Sequence, residues 1–379
     1  MIRLIGLGAL LTVLAIGGTF LLDPYRNYQL AIAAAYFCAV GGLSLLIGLS
    51  GQLSLGHAAL MAAGGYGYAL AANAMTAAGI DGVPRFAVGL VAACAASLIL
   101  GLLLGLAGAR LRGPYLAGLT LAVVIALPAV TSVLSGVLGG DQGLQIAYDG
   151  VPPMLEAVIA LEQWQAWVVL AVTGVVATCL AAVRRGRLGL RMRAVHADAV
   201  GAALSGVPGG RVKVQGFVVS AVAAGTGGAL VCFVTQSVSP GAYTLAFSLL
   251  LVVAAVVGGL GSLGGAAIGS ALIVLLPWLI GVVTDLLPVS ADLEQRLSGN
   301  LAVLIFGALL VVVVAAAPGG VAAALARLRR RTSRARRTRP ARPAAEPAEP
   351  AEPAEPAGPA EPVQEPVPSL NTHITETER

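Results

Sequence analysis

The stretch Gly48-Leu49-Ser50-Gly51-Gln52-Leu53-Ser54-Leu55-Gly56-His57-Ala58-Ala59 decides how this chain folds. It places three glycines and the polar side chains of Gln52, Ser54 and His57 between two long apolar runs. Irregular backbone at membrane depth is tolerated only where it is buried in protein or lines a cavity. The stretch therefore predicts a broken helix or re-entrant turn, whose polar side chains either satisfy freed backbone groups or line a translocation path.

The composition around this stretch is that of a membrane protein. Of 379 residues, 58% are apolar and 11% charged, whereas soluble domains carry about 25% charged residues. Spanning a bilayer takes about 20 apolar residues, and in lipid the backbone must be helical. The sequence predicts an all-α polytopic membrane protein with about ten transmembrane helices, the third and eighth being the weakest. The ten segments are Ile2–Leu22, Tyr28–Leu49, Leu53–Met75, Phe86–Ala107, Pro114–Leu138, Trp164–Val183, Val212–Thr235, Leu245–Val257, Leu263–Leu287 and Leu301–Ala317.

The charges of the connections predict the orientation. The loop between the sixth and seventh segments has a single acid, Asp198, and seven basic residues, which are Arg184, Arg185, Arg187, Arg191, Arg193, Arg211 and Lys213. The positive-inside rule makes this loop cytoplasmic. Counting helices from it places both termini in the cytoplasm, and it leaves the acids between Asp141 and Glu162 outside.

The composition changes after the last apolar segment. We expect residues 1–320 to form the membrane domain and residues 321–379 to form a disordered cytoplasmic tail. Nine of the 23 basic residues lie between Arg327 and Arg342, and residues 344–362 repeat Ala-Glu-Pro. Such a segment has few apolar groups to bury. Directly after a membrane helix, the Arg cluster favours contact with anionic lipids over nucleic acid.

The sequence carries no recognisable catalytic motif. GxSxG, HExxH and CxxC do not occur, and a P-loop is excluded because the only lysine is Lys213. The predicted spans hold almost no ionisable side chain, His57 being the chief exception. We therefore expect a non-catalytic chain without metal or cofactor, driven by energy from elsewhere. One GxGxxG, at residues 259–264, joins two apolar segments, which predicts a tight bend rather than a dinucleotide site.

The basic loop also has a helical pattern. Between Gly189 and Val207, an apolar stripe predicts one short amphipathic helix; the stripe comprises Val195, Ala199, Val200, Ala203, Leu204 and Val207. Such a helix either lies on the bilayer or docks into a groove of a partner protein. The spacing alone leaves both readings open.

Several stretches together resemble the permease subunits of branched-chain amino acid (Liv-type) ABC importers, and the arrangement is closest to the M-type subunit. The run from Gly51 to Ala59 is similar to the hallmark stretch of that family. The other matching stretches are Leu111–Ala122, Gly139–Leu144, the loop Gly189–Val207, Val238–Pro240 and Val256–Ser262.

The resemblance implies a passive subunit of an ATP-driven importer in the bacterial cell membrane. Its partners would be a second permease subunit, two cytoplasmic ATPases that bind the ATP, and an external substrate-binding protein. It implies translocation-path candidates in the first two motifs, namely Gln52, Ser54, His57, Tyr115 and Thr120. It also implies an ATPase-contacting coupling loop with Arg191, Arg193, His196, Asp198, Ala202 and Gly206.

One departure and three alternatives accompany this resemblance. Where the family tends to have Arg-Glu-Asp-Glu, this chain has His196-Ala197-Asp198-Ala199, which suggests a dedicated ATPase. The nearest alternative is the same machine for urea or short-chain amides. Alternatives from other classes are a stand-alone carrier or channel and a membrane-embedded scaffold.

Overall fold

A computed structural model describes residues 2–111, 114–147, 150–152 and 158–285. All of them belong to the first of the two units into which the chain divides, Met1–Arg331. The described part contains twelve α-helices and one pair of two-residue strands. The helices are α1 Ile2–Gly18, α2 Pro24–Ser50, α3 His57–Ala77, α4 Val83–Arg110, α5 Pro114–Val133, α6 Ser135–Leu138, α7 Leu161–Arg185, α8 Arg187–Ala197, α9 Ala199–Leu204, α10 Gly209–Thr235, α11 Leu245–Gly258 and α12 Leu263–Asp285. The strands, β1 Leu144–Gln145 and β2 Ser237–Val238, pair antiparallel.

Seven helical segments of the described part are long and apolar enough to cross a membrane. They are Leu4–Leu21, Pro24–Ser50, Val83–Arg110, Tyr115–Val133, Leu161–Arg185, Gly209–Thr235 and Pro240–Gly258. The eighth predicted span, considered weak from the sequence, is among them. The predicted third span forms the helix α3, and the ninth contains a shorter apolar stretch, Leu263–Leu275; neither is one of the seven. The tenth predicted span and the predicted tail lie outside the described residues.

Helix α10 is the centre of the bundle. It packs most extensively against α4, α2 and α3. At its crossing with α3, a Cβ added to Gly64 would collide with the backbone of Gly225, and one added to Gly228 would collide with the backbone of Met61. Small residues allow such close approach between membrane helices, so the glycine content of the sequence serves helix packing here.

The bundle has two ends that differ in construction. At one end, called the loop end below, Gln52 contacts Lys213 near the start of α10, close to the unit formed by α8 and α9. At the other, called the sheet end, β2 follows the C-terminus of α10, and Asn73 of α3 donates a 2.9 Å hydrogen bond to the carbonyl of Gln145 in β1. Helices α3 and α10 both run from the loop end to the sheet end.

The GxGxxG stretch is a bend between two helices, as predicted. Helix α11 ends at Gly258 and α12 begins at Leu263, and between them Gly259 and Gly261 have φ of 113° and 72°. Residues other than glycine rarely adopt such positive φ angles. The N–H of Gly261 donates to the carbonyl and the hydroxyl of Ser44 at 3.0 Å each, which fastens the bend to α2.

Two predicted helices are interrupted. The predicted span Pro114–Leu138 ends as a helix at Val133 and continues as the single turn α6. The prediction of one amphipathic helix between Gly189 and Val207 is also wrong, because the backbone of Asp198 is extended and separates α8 from α9. The carboxylate of Asp198 caps α9 by accepting the N–H of Val200 at 2.9 Å, a local contact that competes with helix continuation.

Because of this break, the residues of the predicted apolar stripe do not share one buried face. Met192, Val195 and Ala202 face the interior of the chain, whereas Val200 is 70% exposed and Leu204 86% exposed. The α8–α9 unit thus packs through one set of apolar side chains and presents a second set outward.

Candidate functional site

The deciding stretch of sequence is a broken helix, as predicted. Helix α2 ends at Ser50, Gly51 caps it in the left-handed conformation with φ of 67°, and the chain stays non-helical until α3 begins at His57. Residues 51–56 are called the broken segment below. Glycine adopts this cap conformation without the steric penalty of a Cβ, which explains why the helix stops at this position.

Gln52 of the broken segment and the adjacent His57, the first residue of α3, fasten this region to α10. Gln52 donates its amide to the carbonyl of Lys213 at 3.1 Å and to the hydroxyl of Ser50 at 3.0 Å. His57 hydrogen-bonds with Ser54 through Nδ1 at 3.0 Å and with Ser220 through Nε2 at 2.7 Å. Because Ser220 lies two turns further along α10 than Lys213, the segment crosses inward from the loop end toward the middle of the bundle.

Two hydroxyls from other helices satisfy the freed backbone. Thr120 on α5 accepts the N–H of Leu55 at 3.0 Å, and Ser248 on α11 donates to the carbonyl of Leu55 at 2.6 Å. Ser248 also accepts the N–H of Ala58 at 3.3 Å. Buried backbone groups must find such partners, so α5 and α11 hold the broken segment in addition to α10.

The resulting network is buried and electrically neutral. Ser54, His57 and Thr120 have no exposed surface, and Gln52 is 5% exposed. The described hydrogen-bond partners of His57 are two serine hydroxyls, each able to donate or accept, so either tautomer of the neutral imidazole is satisfied. Of the five translocation-path candidates, four are therefore brought together. Tyr115 is separate, because its side chain is 73% exposed.

The unit α8–α9 contacts the broken segment directly. A Cβ added at Gly51 would collide with the imidazole of His196, and one added at Gly216 would meet the methyl group of Met192 at 2.8 Å. His196 and Met192 both belong to α8. This helix therefore lies against the end of α2 and the start of α10, where the broken segment begins.

The remaining coupling-loop candidates have different positions. The guanidinium of Arg193 donates to the carbonyls of Arg184 at 2.7 Å and Gly189 at 3.1 Å, which braces α8 against the end of α7. Ala202 is buried at 7% exposure, and Gly206 has φ of 78°. Arg191 is exposed. Among these candidates, Arg191 presents its charge to the surroundings, whereas Arg193 uses its charge within the chain.

Sequence reasoning missed three buried polar residues that hold the helices together. Ser220 and Ser248 complete the network, but single serines in apolar helices give little signal. Arg85 was also missed, although an arginine directly after the Val83-Pro84 helix start is a visible charge in an apolar region. It is 2% exposed and donates to Thr76 at 2.9 Å, Asp81 at 3.2 Å and the carbonyl of Ala147 at 2.8 Å. It thereby joins α3, α4 and the chain after β1 at the sheet end.

Within the described residues, no group of three or more His, Cys, Asp or Glu side chains is placed to hold a metal ion. The site is a helix break inside an apolar bundle. Neutral hydrogen bonds hold the broken segment, and the exposed basic loop contacts it. Together with the seven helical segments long and apolar enough to cross a membrane, this arrangement is that of a multi-pass membrane protein.

The chain belongs to the family described as branched-chain amino acid transport system, permease component, whose sequence pattern matches residues 25–314. The resemblance drawn from the motifs is thereby confirmed. The chain is 29% identical over 273 residues to the high-affinity branched-chain amino acid transport system permease protein LivM of Escherichia coli (strain K12), an alignment that covers 66% of this chain and 63% of that protein. It is 28% identical over 274 residues to LivM of Salmonella typhimurium (strain LT2), with the same coverage. The chain thus matches 63% of the length of these curated relatives. No solved structure gives a significant match.

Proposed function

We propose that this chain is the membrane-spanning permease subunit of an ATP-driven ABC importer in the bacterial cell membrane. It moves leucine, isoleucine or valine delivered by an external binding protein, and it has no catalytic activity or cofactor of its own. ATP is bound and hydrolysed by partner ATPases. The family to which the chain belongs and its LivM relatives support this proposal.

The observation that carries the proposal is the contact between α8 and the broken segment. The imidazole of His196 occupies the space above Gly51 where any larger residue would place its Cβ. A displacement of α8 by a partner is therefore transmitted to the position where α2 stops being helical. Packed elements respond to such displacement as rigid bodies that switch between discrete arrangements.

The orientation follows from the charges of the α7–α10 region. Arg185, Arg187, Arg191 and Arg211 are exposed at the loop end, so we place the loop end in the cytoplasm and the sheet end outside. This orientation agrees with ten spans and two cytoplasmic termini, the tenth span being Leu301–Ala317. The cluster Arg327–Arg342 then meets the anionic cytoplasmic leaflet.

The exposed side of the α8–α9 unit is suited to an ATPase groove. Leu190 is 60% exposed, and Val200 and Leu204 are 70% and 86% exposed. Exposed apolar side chains close to basic ones are a common composition of protein docking surfaces. Arg191 adds a positive charge on the same unit, whereas the buried Ala202 supports the fold of the unit from inside.

From the neutral hydrogen-bond network we infer a role for the broken segment in the importer. When α8 moves, the hydrogen bonds of Gln52, His57 and Thr120 are exchanged for other hydroxyl and carbonyl partners. The segment opens and closes the passage without moving a charge through the apolar bundle. We retain Gln52, Ser54, His57 and Thr120 as candidates for lining the open passage, together with Tyr115 on the exposed face of α5.

The nearest alternative is the same importer with urea or short-chain amides as substrate, since the binding protein selects what is delivered. A stand-alone carrier or channel is the alternative from another class. Carriers coupled to ion gradients use buried acidic or basic groups within their spans. The broken segment instead has neutral hydrogen-bond partners throughout the described network.

Affinity purification from the native host in mild detergent, followed by mass spectrometry, tests the proposal. We expect one or two P-loop ATPases, a second permease and an external binding protein, which is then assayed with leucine, valine and urea. Purification of the chain alone, even after cross-linking, would contradict the importer and favour the carrier. A binding protein that takes urea but no branched-chain amino acid would establish the alternative substrate.

A further inference from the structure

A cleft of about 350 Å³ lies beside the broken segment on its sheet-end side. Its walls come from α5, the turn after α6, and the chain that leads into α11. Its volume falls at the small end of the range of about 300–1,000 Å³ found for small-molecule sites. The network described above does not use this cleft.

The lining of the cleft combines an apolar wall with one charged group. Val124 and Ile125 of α5 and Leu245 of α11 supply the wall, and Asp141 supplies a carboxylate. Asp141 is exposed and forms no ion pair with any described residue. A carboxylate beside an otherwise apolar wall matches a ligand that has one cationic group and one apolar group.

The start of α11, which also lines the cleft, adds donors. Thr244 accepts the N–H of Phe247 at 3.2 Å through its hydroxyl and that of Ser248 at 3.0 Å through its carbonyl. The N–H groups of Leu245 and Ala246 make no hydrogen bond with the rest of the described chain. Free N–H groups in the first turn of a helix attract carboxylates, above all beside an apolar membrane cavity.

The floor of the cleft adjoins the broken segment. Val124 lies one turn after Thr120 on α5, and Leu245 lies one turn before Ser248 on α11. Thr120 and Ser248 are the two side chains that hold the backbone of Leu55. Since neighbours at this spacing share a helix face, a molecule in the cleft rests directly above the part of the chain that must open.

We propose that this cleft is a binding site for a zwitterionic amino acid with a branched apolar side chain, occupied between delivery and passage through the broken segment. The proposal rests on the function proposed above. Asp141 binds the ammonium group, the first turn of α11 binds the carboxylate, and Val124, Ile125 and Leu245 contact the side chain. The site belongs to the permease itself and is separate from that of any binding protein.

The test uses cysteine protection in the assembled complex, reconstituted without its binding protein. Cys94 and Cys179 are replaced by alanine, which leaves the buried Cys38 and Cys232. Ile125→Cys places a thiol in the cleft, where residue 125 is 59% exposed. Val83→Cys is the matched control, because residue 83 is 71% exposed at the sheet end but does not line the cleft. A membrane-impermeant maleimide then labels both variants with and without L-leucine.

We expect leucine to slow labelling at residue 125 and to leave labelling at residue 83 unchanged. Isovalerate, which lacks the ammonium group, and isoamylamine, which lacks the carboxylate, protect far less. Asp141→Asn raises the leucine concentration needed for half-protection about tenfold or more, the value of a charge-assisted hydrogen bond. Asp141→Glu retains protection, and the amount of assembled complex controls for folding.

ATP-driven leucine uptake by the unmodified complex with its binding protein distinguishes failure of the proposed site from failure of the proposed function. If uptake is normal but leucine protects neither position, the cleft is not a substrate site and the importer stands. If uptake is absent and protection is absent, the function and the site both fail. Protection by urea in place of leucine would also overturn the amino acid site.

Discussion

Helix α3 is fastened by different chemistry at its two ends. At the loop end its first residue, His57, belongs to a network of hydroxyls, one amide and one neutral imidazole. At the sheet end, Asn73 holds β1, and Thr76 accepts a hydrogen bond from the buried guanidinium of Arg85. The same helix thus begins in neutral contacts and ends beside a charge.

This difference indicates which end of the bundle can rearrange at the lower cost in free energy. A neutral hydrogen bond contributes about 1 kcal/mol net, and its hydroxyl can exchange one partner for another. Separating a buried charge from its partners costs more, about 1.5–3 kcal/mol for each hydrogen bond to a charged group. We therefore expect the loop end to rearrange during transport while the sheet end stays intact.

The largest expected effect comes from blocking the surface through which, in the proposed function, an ATPase moves the loop end. The double variant Val200→Glu/Leu204→Glu places two charges at the exposed apolar positions of α9 and is expected to reduce leucine uptake at least about 30-fold. Ser205→Glu is the matched control on the same exposed unit. Uptake is measured in cells at equal amounts of membrane-inserted protein.

Uptake at the wild-type rate by the double variant would contradict a coupling role for this surface. Substitutions at Ala202 or Gly206 are less suitable for this purpose. Ala202 is buried and Gly206 has a positive φ, so a bulky charged residue at either position is expected to abolish uptake partly by disturbing the fold of the unit.

The next effect comes from the network itself. His57→Leu leaves the hydroxyls of Ser54 and Ser220 without their imidazole partner in a buried place, at a cost of about 1–3 kcal/mol. This cost destabilises the state in which the network is formed. Because transport in the proposed function passes through this state, uptake per molecule is expected to fall about tenfold. His57→Gln keeps donor and acceptor atoms and is expected to retain most of the activity. Equal uptake by both variants would show that the network is only packing.

A smaller effect on transport is expected at the sheet end. Arg85→Met removes a buried guanidinium from Thr76, Asp81 and Ala147, which should lower the thermal midpoint in detergent by about 3–10 °C. Uptake per folded molecule should stay within about twofold. Arg26→Met is the control, since the Arg26–Asp23 pair is largely exposed, at 63% and 58%, and exposed pairs contribute little. A transport defect in Arg85→Met without loss of stability would place movement at the sheet end.

The smallest effect is expected from the tail. Deletion of residues 327–379 removes the Arg cluster and the Ala-Glu-Pro repeat, which lie outside the described residues. Transport per molecule should be unchanged, and the amount of protein in the membrane should decrease through loss of lipid contact. Quantitative immunoblotting together with uptake separates the two, and lost transport at equal abundance would assign the tail a role.

The sequence predicts the helices and the breaks that glycine controls. Apolar length gives the membrane helices, and Gly51 and Gly259 mark where the helices stop, because their backbone conformations exclude larger residues. The GxGxxG bend and the broken segment are both predicted for this reason. Both features depend on the residue types within a short stretch of sequence, so they can be recognised without knowledge of the fold.

The parts that could not be predicted depend on contacts between distant residues. Ser220 and Ser248 look like ordinary helix residues until the fold brings them 2.7 Å from His57 and 2.6 Å from the carbonyl of Leu55. The break at Asp198 arises from a capping bond that competes with a favourable helical pattern. The two-residue strands at the sheet end are too short to leave a periodic signal.

ATP-dependent uptake of labelled leucine into proteoliposomes tests the central claim most directly. The chain is reconstituted alone and together with its co-purified ATPases, second permease and binding protein. We predict uptake only by the full assembly and only with ATP, with the Val200→Glu/Leu204→Glu assembly inactive. Leucine uptake by the chain alone, without ATP, would contradict the account and identify a stand-alone carrier.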